Sequence, residues 1–286
     1  MDRIEHARRV FAEEVTARAG CRDEAIREAF ARVPRHEFVG PGPWQLTQTG
    51  AITSSSDVAL VYQDVGMALV AERGIPTGLP SLHARCLEAC GIFPGAAIAQ
   101  VGAGSGYYTA ILAELVGERG RVVACEVDEE LGRRARDCLR PWPWVEVRVR
   151  SGVEGFEVVD RIYVNAGVES LPLAWLAALR PNGRLLFPLT PGPTRWSASG
   201  GALPEEDGGM LLVRHIGSPV RFAAEFVCRA HFVPCIGTEA PQLRERLTRA
   251  FRAGAHEQVR SLGVGQEPAA GVWFSGDGFW LSTEAP

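Results

Sequence analysis

Apolar residues recur at helical spacing at the start of the chain: Ile4, Ala7, Phe11 and Val15 share one face of a helix over residues 2 to 18, and Ile26, Phe30 and Val33 mark a second. Asp23 is placed to cap that second helix and Pro34 to stop it. Residues 40 to 57 are rich in Gly, Pro, Gln, Ser and Thr, lose the period, and read as a long covering loop of a kind that is often functional. Helical spacing returns from Leu82 to Cys90. After Pro94-Gly95 the apolar run AAIAQV reads as a buried parallel strand that ends at a cluster of glycines.

An alternation follows: a helix near 107 to 116, the run RVVACEV, a helix from Glu129 to Leu139, then VEVRV and RIYVNA. Strands separated by helices of this length predict right-handed βαβ units on a parallel sheet. Another helix is expected at 171 to 179, then an Asn182-Gly183 turn into RLLFPL, where Pro188 tolerates only a strand edge or end. Residues 191 to 209 have loop composition. Beyond them MLLVRHI and RFAAEFVCRAHF resemble paired strands, Leu243, Leu247, Ala250 and Phe251 align on a helix that Gly254 ends, and VWFSGDGFWLS reads as a hairpin around Asp277-Gly278. There is no internal repeat. The expected organisation is an N-terminal helical and covering segment over 1–60, a central domain over 61–190, a loop over 191–209 and an α+β extension over 210–286.

Composition narrows the function. The 286 residues are 46% hydrophobic and 22% charged, which suits a folded soluble chain with a sizeable core. All 30 residues counted as Lys or Arg are arginine, so a lysine Schiff base and a Walker-type phosphate lysine are both excluded. A net charge of −4 gives no overall basic field for nucleic acid. No apolar run reaches the roughly 20 residues that cross a bilayer, and the charged N-terminus is unlike a signal peptide. The seven cysteines are odd in number and include no C-x-x-C pair, so reduced thiols and a cytoplasmic location are expected. Cys86 and Cys90 can share a helical face, as small buried hydrophobes or as metal ligands, and no metal site is expected.

The strongest chemical signal is Gln100-Val101-Gly102-Ala103-Gly104-Ser105-Gly106, between a predicted strand and a predicted helix, where glycines let backbone approach a ligand. Glu126 closes the next predicted strand, about 20 residues on, where a carboxylate can accept from both hydroxyls of a nucleotide ribose. The spacing is G-x-G-x-G rather than the dinucleotide G-x-G-x-x-G, which favours a ligand without phosphates, such as S-adenosylmethionine.

On these residues the chain resembles the protein-L-isoaspartate O-methyltransferases. The resemblance runs through Val33-Pro34-Arg35-His36-Glu37-Phe38-Val39, Tyr62-Gln63-Asp64, VGAGSGYYTAILAELVG, and Asp160-Arg161-Ile162-Tyr163-Val164-Asn165-Ala166 followed by LRPNGRLLFPL, in the family's order over roughly residues 25 to 190. It implies the α/β class I methyltransferase fold, a Rossmann-like, doubly wound, mostly parallel sheet, with N-terminal helices, a small α+β C-terminal extension, and S-adenosylmethionine at the C-terminal edge of the sheet. It implies further that Gly102, Ala103, Gly104 and Gly106 pass under the amino-acid part and that Glu126 holds the ribose with Val127 beside it. Gly152 and Val153 would lie by the adenine, and Gln100, Ser151 and Asn165 would complete the cofactor site. Tyr107 and Tyr108 either cover the cofactor or pack at a helix start.

The chain departs from the family in places. The family's substrate loop reads Gly-Gln-Thr-Ile-Ser, one residue, then Pro; here Gly74 to Pro80 read GIPTGLP, so the family's serine falls on Gly78. That serine positions the acceptor carboxylate, so its replacement bears first on isoaspartate as substrate. Thr77 or Ser81 is a candidate substitute, and His83, a histidine in some members, is either a site residue or a structural histidine. Thr77, Gly78 and His83 are the candidate catalytic residues. The family also prefers an acid at Gln100 and an aspartate at Ser151. Each change removes a charge, and charge-assisted hydrogen bonds are about twice as strong as neutral ones, so weaker cofactor binding is the expected direction.

Methyl transfer from a sulfonium is an in-line displacement that needs alignment and exclusion of water. A carboxylate acceptor is ionised at neutral pH and needs no base, whereas a hydroxyl or amine would call on His36 or His83. Ser54, Ser55 and Ser56 offer hydroxyls near the acceptor or form a solvated turn. Tyr62 and Asp64 match a family segment or serve as a packing tyrosine and a capping aspartate. Trp142 and Trp144 in PWPW are expected on an extended exposed link, their rings serving packing or partner contact. The function expected is S-adenosylmethionine-dependent O-methylation of a peptide or small-molecule carboxylate, isoaspartyl-type or another. The alternatives are methylation of a hydroxyl or amine of a natural-product metabolite, and a non-catalytic scaffold. No nucleic-acid or membrane partner is expected, the oligomeric state is open, and the tail, which resembles those of bacterial isoaspartyl-methyltransferase-like proteins, is expected to cover the active-site mouth or form a dimer.

Overall fold

The computed structural model describes residues 2–192, 208–266 and 270–286. In chain order these form α1 (Arg3–Ala19), α2 (Glu24–Arg32), α3 (Arg35–Val39), β1 (Ala68–Val70), β2 (Ile75–Pro76), α4 (Pro80–Cys90), β3 (Ala97–Val101), α5 (Tyr107–Val116), β4 (Arg121–Glu126) and α6 (Glu129–Cys138). They continue through β5 (Val145–Val149), β6 (Val159–Val164), α7 (Leu173–Ala177), β7 (Leu179–Leu189), β8 (Gly209–His215), β9 (Arg221–Arg229), α8 (Pro241–Ala253), β10 (Ser261–Val264), β11 (Val272–Ser275) and β12 (Phe279–Ser282). Residues 193–207 of the expected 191–209 loop lie outside the described residues. Two compact units result, one holding residues 2–96 and 103–150, the other 97–102, 151–192, 208–266 and 270–286.

In the first unit the Asp23 carboxylate accepts the Ala25 N–H and opens α2, which ends at Val33, one residue before Pro34. The predicted faces of α1 and α2 meet in a buried cluster in which Phe11 packs edge-on against Phe30 and Tyr62. Helix α5 is buried along nearly its whole length, and β4 pairs with β5 in parallel from Val122↔Val145 to Glu126↔Val149. The PWPW segment is anchored, contrary to expectation: Trp142 is buried and donates to the Glu114 carboxylate at 2.7 Å, and Trp144 donates to the Ala113 carbonyl at 3.0 Å. Their apolar rings need cover, and their indole N–H groups find partners on α5.

In the second unit β3, β6 and β7 are parallel neighbours, and the order β7-β8-β9-β10-β12-β11 continues antiparallel. One hydrophobic cluster extends from Val101 and Val164 through Phe187 and Val213 to Leu262 and Leu281, and it takes in Leu243, Leu247 and Phe251 of α8. Helix α7 is shorter than predicted, and Asn182-Gly183 is not the turn before a strand. Strand β7 already begins at Leu179, and its partners jump from Val159↔Leu179 to Arg161↔Arg184, so the turn-forming residues make a bulge with Asn182 at φ 64°. Pro188 lies past the last β6 partner, Leu186↔Tyr163, where its missing N–H breaks no ladder bond.

The extension is threaded onto the segment that follows β6. Gly167 N–H donates to the Val233 carbonyl at 2.7 Å, Cys235 N–H to the Gly167 carbonyl at 2.8 Å and Ser170 N–H to the Thr238 carbonyl at 3.1 Å. The carboxylate of Glu169 receives both Arg244 Nε and Nη2 at 2.9 Å and the Ala240 N–H at 2.8 Å, which fixes the start of α8.

Candidate active site

In the first unit the glycine turn enters α5 directly. Ala103 N–H donates to the Cys125 carbonyl at 3.1 Å, tying the turn to the end of β4. Glu126, which closes β4, accepts the Gly104 N–H on one oxygen at 2.7 Å and the Asp128 N–H on the other at 3.0 Å. Burial raises its pKa above the ordinary 4.5, and these backbone donors oppose the rise. Gly104 stands at φ 56°, and a Cβ there would meet only Leu69 at 3.5 Å, so this stretch of backbone is open to a ligand. Gly106 is glycine for another reason: at φ 95° its Cβ would strike Leu139 at 2.9 Å. Val127 is exposed beside Glu126. Tyr107 is buried, with its ring against Phe30 and Phe38. Arg73, between β1 and β2, pairs with Asp128, and Leu69 on β1 overlies Gly104.

A second cluster of the first unit surrounds Thr77 and Gly78. The Thr77 hydroxyl accepts the Met67 N–H at 3.0 Å and donates to the Gly78 carbonyl at 3.1 Å. Arg35, fully buried, donates to the carbonyls of Val61, Gln63 and Val65 at 2.6 to 2.7 Å and reaches Thr77 Oγ1 at 3.5 Å. Among the described residues no carboxylate pairs with its guanidinium. His83 is buried and lies flat on Tyr108, with ring centroids 3.5 Å apart and planes at 17°. Burial, with the nearby Arg35 charge, pushes its pKa down to about 3. Asp64 accepts the Ser81 N–H at 2.8 Å and caps α4. His36 Nδ1 and the Tyr62 hydroxyl share a hydrogen bond of 2.6 Å, and burial pushes the Tyr62 phenol up to about 12. Ser54, Ser55 and Ser56 are solvent-exposed.

The second unit carries the remaining candidates. Gln100 is fully buried within β3. Gly102 stands at φ 78° with the backbone of Asn165 at 3.4 Å from where its Cβ would be, and Asn165 N–H donates to the Val101 carbonyl at 2.8 Å. Among the described residues Oδ1 of Asn165 is buried without a partner, an acceptor waiting for a donor. The Ser151 hydroxyl accepts the Val153 N–H at 3.2 Å, and the buried Trp175 donates to the Gly152 carbonyl at 2.8 Å, so this turn is held from beneath. Val153 lies beside the extension: a Cβ at Gly237 would stand 3.4 Å from its Cγ2.

Sequence reasoning assigned no role to Arg35, Leu69, Asp128, Trp175 or Gly237. Arg35 stood in a quoted motif, but nothing in its neighbours signalled burial. The others are single positions whose contacts are distant along the chain.

Parallel strands with a glycine turn after the first and a carboxylate closing the next, drawn onto that turn's amide, define a class I S-adenosylmethionine-dependent methyltransferase. Within the first unit, the open backbone at Gly104 beside the Glu126 carboxylate fits such a cofactor. The family described as Protein-L-isoaspartate(D-aspartate) O-methyltransferase matches residues 8–197. The chain is 31% identical over 242 residues to a Protein-L-isoaspartate O-methyltransferase of Methanopyrus kandleri, covering 82% of this chain and 94% of that one. It is 28% identical to one from Ignicoccus hospitalis, over 82% of this chain and all of that one. A solved protein-L-isoaspartate O-methyltransferase superposes with TM-score 0.66 at 23% identity, over 85% and 70% of the two chains. A Plasmodium falciparum structure described as a complex with S-adenosyl-L-homocysteine gives 0.59 at 17%, over 80% and 97%. The chain belongs to the protein-L-isoaspartate O-methyltransferase family, and its cofactor is S-adenosylmethionine. Among the described residues no helix is long and apolar enough to cross a membrane.

Proposed function

We propose that the chain methylates a carboxylate of the isoaspartyl type in a peptide. The observation that carries this acceptor class is Arg35, a buried cation whose Nη1 and Nη2 donate only to neutral oxygens, Thr77 Oγ1 among them, while its Nε is buried without a partner among the described residues. Its uncompensated field favours an anion at that turn. S-adenosylmethionine would be held at the glycine turn and Glu126 and would supply a methyl group on a sulfonium; a carboxylate acceptor is already ionised and has no proton to remove.

The chain's own residues suit a step without a base. His83, with its pKa near 3, takes up no proton at neutral pH, and the ring of His36 is engaged by Tyr62. Glu126 accepts donors at the glycine turn, with the ribose hydroxyls as its ligand partners. The seven cysteines form no disulfide among the described residues, which suits a reducing, cytoplasmic setting.

The test is incubation with labelled S-adenosylmethionine and paired isoaspartyl and aspartyl peptides of one sequence. Alkali-labile label on the isoaspartyl peptide alone is expected. Alkali-stable label would show a hydroxyl or amine acceptor, and label on neither peptide would remove the isoaspartyl substrate.

A further inference from the structure

We propose that His83 is the positioning residue of the turn at Thr77–Gly78, and that it acts through the absence of a side chain at position 78. The inference rests on the reading above that this turn receives the acceptor carboxylate.

Gly78 stands at φ 81°, in the left-handed region, and a Cβ there would lie 2.6 Å from Nε2 and 3.2 Å from Cδ2 of His83. Real Cβ atoms do not approach so closely, so imidazole and side chain exclude one another. The imidazole fills the volume into which a residue at 78 would project. Its ring is also held from the face, flat against Tyr108, whose hydroxyl lies 3.5 Å from the Gly78 carbonyl. Gly78, His83 and Tyr108 therefore pack against one another at the turn.

The chemistry makes this set matter. Thr77 cannot replace a missing serine as donor, because its one hydroxyl proton goes to the Gly78 carbonyl while its oxygen accepts from Met67. The turn must then align the acceptor through its backbone, and backbone aligns only if it is fixed. A displacement of about 1 Å at such a site costs on the order of 100-fold in rate. His83 remains neutral while it does this, since burial and Arg35 hold its pKa near 3, and so it adds no second charge beside Arg35.

The test is a cycle of His83→Ala, Gly78→Ala and the double variant in the full chain, read by thermal unfolding, by S-adenosylhomocysteine titration and by kcat/KM for an isoaspartyl peptide. Each single variant is expected to lose about 10- to 100-fold in kcat/KM, mostly in peptide KM, while cofactor-product affinity stays within about twofold. The double variant is expected to be no worse than the poorer single one, because the new methyl enters the space that the imidazole leaves. His83→Gln, whose terminal amide reaches the place of Nε2, is expected to recover part of the peptide KM. Losses that multiply in the double variant would overturn the proposal. So would a His83→Ala variant with unchanged peptide KM, or one that loses cofactor-product and peptide binding alike. If the unmutated chain binds S-adenosylhomocysteine but methylates no isoaspartyl peptide, the substrate reading fails and the positioning role falls with it. Failure of the His83 claim alone appears only in variants of an active chain.

Discussion

Each oxygen of the Glu126 carboxylate accepts one backbone N–H, from Gly104 and from Asp128, and each keeps lone pairs for a further donor. Burial has raised this carboxyl above 4.5, so it protonates at a higher pH than an exposed glutamate would. The ionised form is the one that accepts ligand hydroxyls. Affinity for S-adenosylhomocysteine is therefore expected to be full at neutral pH and to fall as acid is added through that raised value. Glu126→Gln is expected to bind roughly 10-fold more weakly at pH 7 and to lose the pH dependence, as titrations at pH 5 and 7 would show. An unchanged slope in the variant would contradict this role. At this scale the sequence was partly legible. Gly104 and Glu126 announced themselves as a pair by spacing, and the Gly104 N–H on the Glu126 carboxylate joins them in the fold. Tyr107 did not, since an aromatic at a helix start carries no sign of whether it faces ligand or core. Arg35 was illegible because its partners are carbonyls 26 to 30 residues away, and carbonyls leave no mark on a sequence.

Helices α5 and α6 approach one another at Gly106, where a methyl group would press on Leu139 and Ala135. Gly106→Ala adds overpacking to an unfavourable positive φ, so a loss of about 2 to 4 kcal/mol in unfolding free energy is expected from denaturant melts. Stability close to that of the unmutated chain would mean that the two helices can part there at little cost. The long periodic elements, α1, α2, α5, α6, α8 and the strands from β3 to β9, were legible because burial of one face imposes a period. The five-residue α3, barely more than one helical turn, and the short β1 and β2 show no period, and β10 has neither an apolar run like β3 nor a turn signal like the one between β11 and β12. The expected turn at Asn182-Gly183 shows a further limit: residues suited to a turn are equally suited to a bulge within a continuing strand.

Strand β8 covers β7 from Arg184↔Arg214 to Leu189↔Gly209, and the core of the second unit continues without a break into β10, β12 and α8. Composition suggested an appendage after the loop, because loop residues separate two rhythms in the sequence; the pairing shows that the later strands complete the core begun by the earlier ones. A chain ended at residue 192 is expected to lose cooperative melting by circular dichroism, since it would bare the β7 edge and the apolar faces of Leu185 and Phe187. A sharp melt of that fragment would show that the parallel strands hold a core of their own. The central claim is that the glycine turn receives S-adenosylmethionine, and calorimetric titration of S-adenosylhomocysteine into the unmutated chain and into Gly104→Arg tests it most directly. Saturable binding that disappears in a still-folded variant is the result predicted. A folded, unmutated chain that gives no binding heat at several temperatures, or a Gly104→Arg variant that binds equally well, would contradict it.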